Sequence, residues 1–200
     1  MAVENWNELI DAAEQGFADG VACHGSIAAS RRANRQNLIE IVDDAKAGRA
    51  ARLLLDGALF RSHIYLVRAF DPPSAKAGDD INLRAAIDFL RQPGAVEFAH
   101  EDRHADLHFA IERFDAAAAD PALQTLRLMR NKMLAHWAKY DETKPRPTYS
   151  ELFGFAERVG KVSEALAHGT AIHFLSMESQ GVAYIESAET FWSIWDHGED

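Results

Sequence analysis

Asp120-Pro121-Ala122-Leu123-Gln124-Thr125-Leu126-Arg127-Leu128-Met129-Arg130-Asn131-Lys132-Met133-Leu134-Ala135-His136-Trp137 is the most informative stretch of this chain. Its opening is a helix start: aspartate caps free backbone N–H groups, and proline suits the first helical position, where no N–H is needed. The helix is expected to run to about Tyr140. Successive residues turn by about 100° on a helical wheel. On that wheel Ala122, Leu126, Met129, Met133 and Trp137 share an apolar arc with Leu123 and Leu134. Arg130 falls inside this arc, with Trp137 and Leu123 as its wheel neighbours. A guanidinium there must pair with a carboxylate, meet another subunit or line a polar cleft, because an unpaired buried charge is very costly.

Outward from this helix, three- and four-residue apolar spacing dominates. Trp6, Leu9, Ile10, Ala13, Phe17 and Val21 predict an amphipathic helix over the first twenty or so residues, followed by a polar stretch from His24 to Asn37 that is open to helix but lacks a clear apolar stripe. Leu38 to Val42 lead past Gly48 into an apolar run through Leu53, Phe60, Ile64 and Phe70, which stops at Asp71-Pro72-Pro73. Asp79 or Asp80 can cap a short helix carrying Leu83, Ile87 and Leu90, and Pro93-Gly94 closes it. Leu107, Phe109, Ile111 and Phe114 mark the next helix. Thr148 or Ser150 opens a long helix through Ile172, and Gly181 is expected to separate it from a last helix with Tyr184, Ile185, Phe191 and Trp195. No strand, internal repeat or low-complexity linker is evident. The expectation is one all-α domain over residues 1–200, a helical bundle.

Composition narrows the function. Of the 200 residues 48% are hydrophobic and 26% charged, which excludes a disordered chain. No apolar run approaches the roughly 20 residues that span a bilayer. The start Met1-Ala2-Val3-Glu4-Asn5-Trp6 lacks a secretion signal, and Cys23 is the only cysteine, so a cytoplasmic location is expected. The net charge of −10 argues against loose, sequence-independent nucleic-acid binding. Between Thr125 and Arg146, however, six cationic side chains face only Asp141 and Glu142, leaving that segment +4.

Arg130-Asn131-Lys132-Met133-Leu134-Ala135-His136 resembles the Arg-x4-6-His motif of the HEPN superfamily, most closely its abortive-infection-like branch. The resemblance is clearest over about residues 100–180. It implies a HEPN-like core that dimerises through the motif helices, and, in many members, metal-independent cleavage of RNA in toxin or phage-defence systems. Arg130, Asn131 and His136 would then be the catalytic residues. The histidine exchanges protons with the ribose 2′-OH and the leaving oxygen, and the arginine stabilises the phosphoryl charge. Lys132, Arg127 and Lys139 would attract the RNA phosphates. The implied partners are RNA, a second copy of the chain and an antitoxin protein, with no cofactor. Some toxin members carry a tyrosine two residues after the histidine, which a nucleotidyltransferase antitoxin modifies; here that position is Ala138, and Tyr140 lies four residues after His136. Other members have lost catalysis, so the alternative is a dimerisation or RNA-binding module in which Arg130 is structural.

On a regular helix Arg130 and His136 lie about 9 Å apart along the axis and roughly 120° apart around it. One helix does not aim both at one atom. A second copy across a two-fold axis can bring both pairs into one cleft.

His100-Glu101-Asp102-Arg103-His104 matches the zinc-hydrolase string H-E-x-x-H, with His108 one turn further on. On a helix His100, His104 and His108 would share a face, which makes them the alternative metal ligands. Asp102 and Arg103 make the segment a charged one, and a solvated helix face or loop is the favoured reading. No phosphate-binding glycine loop, dinucleotide fingerprint or nucleophile elbow is present. Gly16 and Gly20 suggest close helix packing rather than chemistry.

Overall fold

A computed structural model of the chain describes residues 3–72, 82–131, 146–172 and 176–195. It is all-α: α1 (Trp6–Ala33), α2 (Gln36–Asp44), α3 (Gly48–Arg68), α4 (Leu83–Leu90), α5 (His104–Ala118), α6 (Pro121–Met129), α7 (Tyr149–Gly169) and α8 (Met177–Ser193), with 3-10 turns at Val96–Phe98 and Glu101–Arg103. No strand occurs among the described residues, and none of the helices among them is long and apolar enough to cross a membrane.

Two compact units divide the chain. The first comprises Met1–Gly20 and His63–Phe174, the second Val21–Ser62 and Leu175–Asp200.

The first unit is organised around α5 and α7, which pack extensively against each other. Leu107, Ala110 and Phe114 of α5 and Phe155, Val159 and Val162 of α7 are almost fully buried, at the three- and four-residue spacing that gives each helix one inward face. Gly169 shows how close the two helices come: a Cβ there would lie 2.3 Å from Leu107 Cδ2 and 3.2 Å from the Leu107 amide nitrogen. Gly16 of α1 plays the packing role expected of it, since a Cβ would stand 2.7 Å from Leu83 Cδ2 of α4. Its carbonyl also accepts a 2.9 Å hydrogen bond from the Tyr65 hydroxyl.

In the second unit Ala33, Leu38 and Val42 pack with Ala188 and Trp192. Arg32, only 6% exposed, is paired with Glu189, which also takes Arg35 Nη2 at 2.7 Å. Trp192 is thus a core residue of this unit, 4% exposed.

Several helix boundaries follow local rules. Asp120 accepts a hydrogen bond from Ala122 N at 2.8 Å, with Pro121 at the first helical position. Thr148 and Glu151 form a capping box at the start of α7, each side chain accepting from the other's backbone N–H.

Other boundaries are left open by the sequence or differ from its expectation. The polar stretch after Val21 continues α1 as far as Ala33, because Cys23 and Ile27 supply a narrow buried stripe of modest side chains. Gly181 does not separate two helices; it lies within α8, which Ser176 opens by accepting from Ser179 N. The long helix closes at Gly169 rather than Ile172, with Ala171 at φ 59° and the Ile172 amide turned back onto the Ala167 carbonyl. Asn82 caps α4 through Ala85 N; Asp79 and Asp80 lie outside the described residues.

Candidate functional site

The Arg-x5-His string begins where α6 ends. Arg130 and Asn131 follow Met129 as a π-type turn, an irregularity often found at functional sites. Lys132, His136 and Lys139 lie outside the described residues, so the site is built from Arg130, Asn131, Arg127 and what surrounds them.

The start of α6 is tied to α7, where Arg158 Nη2 pairs with the capping carboxylate of Asp120 at 2.6 Å. Its end is tied to the C-terminal end of α3 by three polar links. First, Arg127 Nη2 donates to the Phe70 carbonyl at 2.8 Å. Second, Arg130 Nη1 pairs with Asp71 Oδ2, while Arg127 Nε stands 3.7 Å from Asp71 Oδ1. Third, His63 Nε2 donates at 2.8 Å to the Leu126 carbonyl, which also receives the Arg130 backbone N–H.

Of the three accommodations the wheel allows for Arg130, the chain therefore supplies a carboxylate. The pair is partly rather than fully buried, with side chains 22% and 29% exposed. Arg130 Nε donates to Asn131 Oδ1 at 3.0 Å, and Asn131 is exposed. The catalytic candidates Arg130 and Asn131 are thus in direct contact, and the phosphate-binding candidate Arg127 shares a carboxylate with Arg130. Two guanidiniums around one carboxylate leave a local positive charge in an acidic protein, which favours an anion there.

Asp71 and His63 were not foreseen as site residues. Asp71 was read only as part of a helix stop, and it reaches Arg130 across 59 positions. His63, on α3, is 4% exposed. Burial holds its imidazole below the ordinary value; the contact with the Leu126 carbonyl opposes this, and the Arg130 charge reinforces it. The unfolded chain therefore binds a proton that the folded chain resists. Stability should fall as pH drops below about 6.5, the ordinary imidazole value, and continue falling until the lower folded value is reached. The limiting slope is about 1.4 kcal/mol per pH unit. Melting curves between pH 7.5 and 5 should show this decline, and His63→Gln should flatten it. An equal decline in the variant would place its source elsewhere.

The rival metal string does not form the geometry it would need. His100 is in extended conformation before the 3-10 turn Glu101–Arg103, and the α-helix begins only at His104. The one-turn spacing of a regular helix is therefore broken between the first two histidines. His100 Nδ1 donates to Asp102 Oδ1 at 2.8 Å, and His104 Nε2 donates to the Ala99 carbonyl at 3.1 Å. The His100 hydrogen bond holds the fully exposed Asp102 carboxyl below its ordinary range. Among the described residues, which include His100, His104 and His108, no group of three or more potential ligands surrounds one point.

The HEPN_AbiU2 family model, described as AbiU2, matches residues 4–191. That span takes in both halves of the chain as well as the motif. No curated protein matches significantly, and neither does any solved structure. A match over nearly the whole chain, with an all-α fold and the Arg-x5-His string at the end of α6, shows that the chain belongs to the HEPN_AbiU2 family, in the abortive-infection-like branch of the HEPN superfamily.

Proposed function

We propose that this chain is a metal-independent endoribonuclease of cytoplasmic RNA, acting in a toxin or phage-defence system. Two copies would bring Arg130 and His136 to one composite cleft. The observation that carries this reading is the polar cluster at the end of α6. There Arg130, the first residue of the motif, is held by Asp71 and Asn131 beside the second cation Arg127.

The residue types define the reaction. A base, His136 in one copy, removes the proton from a ribose 2′-OH, and the freed oxygen attacks the adjacent phosphorus. The P–O5′ bond breaks, and the leaving oxygen takes a proton from an acid, for which the second His136 is placed by symmetry. Arg130 stabilises the added charge on the phosphoryl oxygens. Lys132, Arg127 and Lys139 draw in neighbouring phosphates, and Asn131 orients Arg130. The products are a 2′,3′-cyclic phosphate and a 5′-hydroxyl. An antitoxin partner fits a nuclease that must be silenced in the cell.

The Asp71–Arg130 pair also suits a second reading, a non-catalytic dimerisation or RNA-binding module in which Arg130 fixes the packing of α6 on α3. One experiment separates the two. Purified protein is incubated with RNA in EDTA, and the new ends are characterised. Cleavage leaving cyclic phosphate, with DNA of the same sequence untouched, supports the nuclease. Intact RNA across a diverse set of substrates favours the module, and cleavage that depends on added zinc overturns the proposed chemistry.

A further inference from the structure

We infer that Asp71 is the positioning residue of this site: its carboxylate fixes the direction of the Arg130 guanidinium and sets the charge that an RNA phosphate meets. The role rests on the nuclease reading above.

A guanidinium has five N–H donors in a rigid plane. Among the described residues two of the three Arg130 nitrogens are engaged, Nη1 with Asp71 Oδ2 and Nε with Asn131 Oδ1. These two points, with the covalent attachment at Cδ, fix the plane of the guanidinium. The edge centred on Nη2, which no described residue engages, is then directed at a phosphoryl oxygen without a rotamer search. Asp71 is well placed to act as a fixed point because its surroundings are themselves anchored. Phe70, the preceding residue, is 1% exposed, and its carbonyl accepts from Arg127. The Asp71 carbonyl accepts from Asn82 Nδ2 at 3.2 Å, next to the cap of α4.

Charge points the same way. Arg127 and Arg130 together with Asp71 carry a net charge of +1, so the cluster attracts a phosphate less strongly than two free arginines would. Binding strength is given up for orientation. That exchange favours an enzyme, whose rate depends on interactions made in the transition state rather than on ground-state binding.

The test compares the wild type with Asp71→Ala and Asp71→Glu. In Asp71→Ala, kcat for RNA cleavage should fall by about 10²-fold, the cost of misplacing a catalytic group by about an ångström. KM should stay level or fall. Binding of a 2′-O-methyl RNA, which cannot be cut, should tighten at low salt, and its salt dependence should steepen by roughly 0.7 in log–log slope, the value for one additional phosphate contact on a single strand. Asp71→Glu restores the charge one methylene further out and should recover part of kcat. A merely structural role would instead raise KM as kcat falls, with glutamate no better than alanine; that pattern overturns the inference, as does an unchanged kcat.

A second measurement does not depend on cleavage. The Arg130 guanidinium, followed by nitrogen-detected NMR, should rotate slowly in the wild type and freely in Asp71→Ala. Equal rotation in the two would overturn the inference even in an active nuclease. Slow rotation lost in the variant, in a protein that cuts no RNA, would uphold the positioning by Asp71 and remove only the nuclease reading.

Discussion

Alanine in place of His136 is expected to lower metal-independent RNA cleavage by about 10²–10⁴-fold, the range for loss of a general acid–base group. No metal is needed to activate water in this scheme, because the substrate's own 2′-OH is the nucleophile. The histidine is therefore the main route for the proton. His136 sits at the edge of the apolar arc on the wheel, so the variant should fold as the wild type does and, on the proposed reading, still form the dimer. Arg130→Ala should also abolish cleavage, but by a different route: it leaves the Asp71 carboxylate with only the more distant Arg127. Mixing the two inactive variants should restore weak cleavage, since a mixed dimer keeps one Arg130 and one His136 as base at the cleft, with water in place of the second His136 as the acid. Failure of the mixture, with both variants folded and dimeric, would count against a composite site. Cleavage that persists in both variants would point to a contaminating nuclease.

The largest stability change is expected from Phe70→Ala, at about 3–5 kcal/mol for a fully buried phenylalanine. Phe70 is stacked on Phe114 with centroids 4.7 Å apart and meets Phe155 at 5.5 Å in a tilted arrangement. The side chain thus joins α5 and α7 to the end of α3. Its removal leaves a cavity at the centre of the first unit and loosens the anchor for Asp71 and Arg127. Whole domains are stable by only about 5–15 kcal/mol, so this one change removes a large share. Urea unfolding should show the midpoint falling at nearly constant slope, with Phe70→Leu recovering most of the loss. A loss below about 1 kcal/mol would mean the site collapses around the missing ring far better than the packing suggests.

The sequence alone determined the helical class, the boundaries set by capping and the motif that places the chain in its family. Asp120-Pro121 and a helix start at Thr148 or Ser150 could be read because a capping side chain satisfies backbone groups only two or three residues away, and the structure gives the second cap to Thr148. The Arg130 anomaly was legible for a similar reason, since the wheel depends only on helical periodicity. What the wheel could not supply was the partner. Asp71 lies 59 residues from Arg130 and His63 lies 63 residues from Leu126, and nothing in either local sequence marks it as a site residue. The same limit explains the segments that the sequence leaves open or misplaces. The continuation of α1 rests on tertiary burial of Cys23 and Ile27, not on a broad stripe, and the glycine of α8 is tolerated because the helix around it is held by packing at Met177, Ala188 and Trp192. Local hydrogen bonding is written into neighbouring residues. Which charges meet, and which weak helices persist, is decided only when the chain packs, because that is when desolvation makes an unpaired group costly and a buried contact worthwhile.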